Sequence, residues 1–145
     1  MILEIISAFI ASFAFGIIFN IKGKNLFFAS CCGALGWFVY KISLKLGATD
    51  TSSMFLASIA LSAYSEIFAR ILKTPVTTFV VAALIPLVPG GGMYYTMYEA
   101  ITGNIITSLE IGIKTLASAG VLAIGIILVS TITKAIVKYK KYYRV

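Results

Sequence analysis

Four side chains, Ser58, Ser62, Glu66 and Arg70, recur at every fourth residue. If the stretch is helical, that spacing stacks all four on one face and sets Glu66 ahead of Arg70 in the order that favours an ion pair. A carboxylate in this setting can carry a coupling proton, or it can neutralise the guanidinium and fix helix contacts. A second group is Pro86-Leu87-Val88-Pro89-Gly90-Gly91-Gly92, followed by Tyr94, Tyr95 and Thr96. Prolines and glycines packed this densely interrupt an α-helix. On one reading the helix resumes near Met93 behind a glycine nest, and its free N–H groups and positive dipole end attract a carboxylate. On the other, the helix ends at Val88, turns, and continues as an interfacial helix whose tyrosines form an aromatic belt.

The elements that must position these groups follow from composition. The chain has 145 residues, 60% hydrophobic and 12% charged, with a mean hydropathy of +1.01. Soluble domains carry roughly 25% charged residues, so this chain cannot clothe itself for water. Stretches free of Asp, Glu, Lys and Arg run 5–21, 25–40, 51–65, 74–98 and 115–133. About 20 helical residues cross a hydrocarbon core of about 30 Å, once flanking residues snorkel. The expectation is an all-α polytopic membrane protein, one domain over 1–145, with about five transmembrane helices. They fall near 2–21, 26–46, 52–72, 75–102 (broken at Pro86–Gly92) and 105–134. No run shows the alternation of an outer-membrane barrel. The first run is followed by Lys22, Lys24 and Asn25 without a small-residue cleavage site and reads as a retained span. Asn25, then Thr51 or Ser52, then Thr74 before Pro75, are the expected helix caps.

Several chemistries are excluded or disfavoured. Cys31 and Cys32 are adjacent, which strains a disulfide, and there is no His to complete a metal site, so no metal and no cofactor are expected. No phosphate-binding motif and no nucleophile elbow is present, which argues against an enzyme. The C-terminal Lys138-Tyr139-Lys140-Lys141-Tyr142-Tyr143-Arg144 reads as a juxtamembrane anchor on anionic lipid, not as a nucleic-acid patch. Five crossings place Lys22, Lys24, Arg70, Lys73, Lys134, Lys138, Lys140, Lys141 and Arg144 on one side and Lys41, Lys45 and Lys114 on the other. Basic residues gather on the cytoplasmic side, so the C-terminus is expected inside and the N-terminus outside.

Small residues mark where helices approach closely in lipid: Ala8, Ser12 and Gly16, with Asn20 one turn on, and Ala29 with Gly33. Glu4, Lys41, Lys45, Glu110 and Lys114 are placed to snorkel. Secondary transporters set their sites between two repeats, and one five-helix unit supplies at most one, so a partner is needed. The competing class is a homo-oligomeric channel around the broken helix, and a third is a structural accessory.

Two motifs carry a resemblance. Phe15-Gly16-Ile17-Ile18-Phe19-Asn20, and Ile85-Pro86-Leu87-Val88-Pro89-Gly90 followed by Tyr94-Tyr95-Thr96-Met97, resemble the small subunit of the bacterial threonine/serine exporter family. The resemblance implies a secondary exporter of the bacterial inner membrane whose five-helix half works with a larger membrane subunit, fused or separate. Some members export dicarboxylates such as succinate.

Overall fold

The computed structural model describes the backbone of residues 1–142 and the side chains of residues 1–139; the expected anchor is cut there, and Lys140, Lys141, Tyr142, Tyr143 and Arg144 lie outside the described side chains. Among the described residues the fold is all helix: α1 (Ile2–Ile18), α2 (Lys24–Lys45), α3 (Asp50–Ile71), α4 (Thr77–Leu84), α5 (Gly90–Ile101) and α6 (Ile105–Tyr142). Helices α2, α3 and α6 are long and apolar enough to cross a membrane, and α1, at 17 residues, is a shorter apolar helix. The chain is an all-α membrane protein.

Helices α1 and α2 are antiparallel. Glu4 meets Lys41 at 3.0 Å at one end, and Gly16 lies against Leu26 at the other. Helix α3 runs back along α2, joining Tyr40 to Asp50 and Cys32 to Leu61 and Ser65. Helix α6 lies parallel to α3, with Gly125 against Ser58, and the Ser62 hydroxyl donating to the Ile126 carbonyl at 3.5 Å. The α1–α2 and α3–α4 connections therefore share one end of the bundle, called here the basic end, with Lys22, Lys24, Arg70 and Lys73.

The packing is built on small residues. Ala8, Ser12 and Gly16 are the buried residues of α1. A Cβ on Gly33 would run into the Ser12 side chain and lie 3.4 Å from the Ala83 Cα, so α1, α2 and α4 converge there at closest approach. Ala29 is fully buried in a cluster with Phe79, Ala82 and Ala69. Without a hydrophobic drive between helices in lipid, such close contact supplies the dispersion that holds them together.

Several ends differ from the sequence expectation. Helix α1 stops at Ile18 and not at 21, because Asn20 takes a left-handed conformation (φ 59) and the Ile21 N–H turns back to the Gly16 carbonyl at 2.9 Å. Asn20 is thus exposed beyond the helix and does not join the α1 packing face. Helix α2 begins at Lys24 after Gly23 (φ 62), so Asn25 lies inside its first turn. Thr49, upstream of the expected Thr51 or Ser52, caps α3 by accepting the Ser52 N–H at 3.3 Å. Pro75 stays outside α4, its carbonyl receiving the Thr78 N–H, and the N-cap is Val76. Helix α6 runs 38 residues, well past 134, since nothing after Gly125 breaks it.

Candidate functional site

Helix α4 enters from the basic end and is enclosed by α1, α2 and α3; Phe79, Ala82, Ala83 and Leu87 are at most 2% exposed. Leu87 packs near Gly36 and Leu61, close to the middle of α2 and of α3. The interruption therefore opens close to mid-bundle. Proline has no N–H, so Pro86 and Pro89 leave the carbonyls of Ala82 and Ile85 without their usual donors four residues on. The Leu87 and Val88 N–H groups both turn to the Leu84 carbonyl. Beside the break, Pro86 borders a cavity of about 350 Å³ with Trp37, Ala8, Ala11, Ser7 and Glu4. The Trp37 Nε1 is buried there without a partner.

The glycines do not form a nest. Helix α5 starts at Gly90 with Pro89 as N-cap, and the Met93 N–H donates to the Pro89 carbonyl at 3.1 Å, spanning all three glycines in a helical turn. The glycines with positive φ are Gly23, Gly47 and Gly103. A Cβ on Gly90 or Gly91 would meet nothing within 4 Å, whereas one on Gly92 would collide with the Thr115 side chain. Close approach in this segment is thus between α5 and α6.

That contact begins a hairpin. The Thr96 hydroxyl donates to the Gly92 carbonyl at 2.7 Å, the Ser108 hydroxyl donates to the Thr96 carbonyl at 2.7 Å, and Gly112 faces Thr96. Tyr94, Tyr95 and Tyr98 point outward, with Tyr94 stacked on Tyr98 at 6.2 Å. The structure therefore separates the sequence candidates. Pro86 sits in the bundle, Pro89 and Gly90 to Gly92 lead out of it, Thr96 lies in the hairpin seam, and Tyr94 and Tyr95 face away.

The serine seam has a clear location. Ser58, Ser62 and Glu66 are buried, and the contacts of Ser58 and Ser62 set this face against α6. The Arg70 guanidinium donates to the Glu66 carboxylate at 3.1 Å; the carboxylate side chain is 6% exposed and the guanidinium side chain 47%. The seam also continues where the four-residue spacing does not point. The Ser65 hydroxyl donates to the Leu61 carbonyl at 2.9 Å and contacts Cys32 Sγ at 3.3 Å, tying α3 to α2. Sequence reading also missed a polar cleft at the basic end, where Asn20, Lys22 and Asn25 face Thr77 and Thr78. Asn20 and Asn25 read as a packing residue and a helix cap, and nothing in their spacing points to Thr77 and Thr78.

Among known proteins, the family model described as threonine/serine exporter, ThrE, matches residues 4–132, which takes in the seam, the break and the hairpin. No solved structure matches the chain.

Proposed function

The chain belongs to the threonine/serine exporter family, a family of transporters, and from that premise we propose that it is one half of a secondary exporter. It moves small carboxylate-bearing metabolites, threonine and serine or a dicarboxylate such as succinate, out of the cell. It works with a larger membrane subunit in the bacterial inner membrane, with the basic end and the C-terminus in the cytoplasm.

The observation that carries this reading is the interruption, at mid-bundle, of a helix that buries Phe79, Val80, Ala82 and Ala83 against three neighbours. Open backbone at such depth is tolerated where it is buried in protein or lines a wet cavity, and broken helices of this kind hold substrates and ions in secondary transporters. The need for a partner is supported by the hairpin. Val121 and Ile124 lie level with Thr51, Ser52 and Phe55 at the start of α3, so the part of α6 from Ile105 to Val121 reaches about 24 Å beyond the bundle at 1.5 Å per residue. Of the other helices, only α5 packs on that extension, while Ile105, Ile106, Leu109, Ile113 and Leu116 are exposed on it. A homo-oligomeric channel is the second reading, since a further copy could cover the same surface.

Reconstitution separates the two. With the chain and its larger partner in proteoliposomes, acids should move and their carboxamide analogues should not; the chain alone should be inactive. A stable ring of the chain alone that conducts ions would establish the channel instead. Cysteine labelling in a background lacking Cys31 and Cys32 tests orientation: Ala48→Cys should react from outside and Lys138→Cys from inside.

A further inference from the structure

The basic end contains a cleft of about 440 Å³ between the end of α1 and the start of α4, within the size range of small-molecule sites. Its polar lining is Asn20, Lys22, Asn25, Thr77 and Thr78, with no acidic residue. These side chains come from three places in the chain. Asn20 and Lys22 follow the left-handed turn that ends α1, Asn25 lies in the first turn of α2, and Thr77 and Thr78 open α4. None of the five makes a side-chain hydrogen bond or ion pair among the described residues. Here an ammonium, two amides and two hydroxyls converge with their donors free.

The location matters as much as the lining. Thr77, Thr78 and Val81 form one flank of α4, and the same segment leads to Pro86 and the second cavity, which extends to Glu4 at the far end. Residues of α1 border both cavities, Phe19 at one and Ala8 and Ala11 at the other. The two cavities share no lining residue, but both lie along α1 and the α4 segment, one at the basic end and one beside the break.

We propose that this cleft binds the carboxylate of a small metabolite at the basic end, with Lys22 as the charge partner and Asn20, Asn25, Thr77 and Thr78 as neutral donors. The assignment rests on the exporter reading above and locates that transporter's loading site. The shared chemistry is an oxyanion, which a lipid phosphate could also supply, so the test must tell the sources apart.

The chain is purified with its co-purifying subunits, in a Cys31→Ala/Cys32→Ala background carrying Thr78→Cys, and placed in nanodiscs of phosphatidylcholine. Saturating succinate or threonine should slow maleimide labelling of residue 78 at least fivefold, while succinamide or threoninamide should not. Hydrogen bonds to charged groups are the strong ones, so Lys22→Gln should raise the half-protecting concentration about tenfold. Lys24→Gln, which does not line the cleft, should leave it unchanged. If added phosphatidylglycerol protects residue 78 and the carboxylates do not, the cleft is a lipid headgroup site and the proposal falls. If the same complex transports these acids in proteoliposomes while residue 78 stays unprotected, the cleft assignment alone is overturned. If neither it nor the complex with Thr78, Cys31 and Cys32 intact transports any of them, the exporter reading has failed.

Discussion

Helices α4 and α5 are both short, are separated only by Ile85–Pro89, and end up in opposite surroundings. Helix α4 buries Phe79, Val80, Ala82 and Ala83 among three neighbours, whereas α5 has no buried residue and touches only α6. Both use the same device, a small residue that lets a facing helix come close: Gly33 in the bundle and Gly92 in the hairpin. What differs is how many surfaces depend on the contact. Gly33 seats Ser12 of α1 on one side and the Ala83 backbone of α4 on the other, while Gly92 seats Thr115 alone. The bundle buries its contact from several sides, whereas the hairpin leaves its remaining faces exposed.

Breaking the bundle side of this contrast should give the largest effect. Gly33→Leu forces a side chain into space held by Ser12 and by backbone, and overpacking of this kind costs about 3 kcal/mol. The variant should lose its monodisperse peak in detergent and its cooperative thermal transition; a wild-type Tm would mean that α1, α2 and α4 do not converge as described.

The hairpin comparison is sharper and smaller. Gly92→Leu collides with Thr115 and should destabilise by about 1–2 kcal/mol, read as thermal stability in detergent, while leaving the bundle folded. Gly91→Leu meets nothing and replaces a helical glycine, so it should be neutral or stabilising by up to about 1 kcal/mol. A well-folded Gly91→Leu or Gly91→Val protein that loses transport would therefore locate a substrate or partner contact at residue 91.

The smallest stability effect is expected in the seam. Arg70 is half exposed and can reorient to water, so Glu66→Gln should cost no more than about 1 kcal/mol of stability. If Glu66 carries the coupling proton, this variant should lose export driven by a pH gradient and keep exchange of labelled substrate. Equal loss of both, with restoration in Glu66→Gln/Arg70→Gln, would assign the pair a structural role.

The stripe at Ser58, Ser62 and Glu66 and the small-residue face at Ala8, Ser12 and Gly16 were legible because helical periodicity alone sets which residues share a face. The break at Pro86 and Pro89 was legible because a missing N–H is a covalent fact. The glycine run was read as a nest because glycine permits positive φ, but permission is not requirement. The Met93 N–H donates to the Pro89 carbonyl, so the three glycines take helical φ and form the first turn of α5. Asn20 shows the converse. An apolar run continuing to Ile21 reads as helix, and only the Ile21 to Gly16 hydrogen bond shows where the helix stops.

By itself the sequence determined the solvent, the helical class, the position of the interruption and the family motifs, since each depends on local composition or on covalent geometry. The tertiary structure decided which small residues touch, that the break opens beside Leu61 and Gly36 at mid-bundle, and that α5 leaves the bundle to pair with α6. It also brought Lys22 and Thr78, far apart in sequence, to one cleft. Those outcomes depend on distances between helices, and in lipid such distances are fixed by the mutual fit of several surfaces at once, which no single stretch of sequence contains.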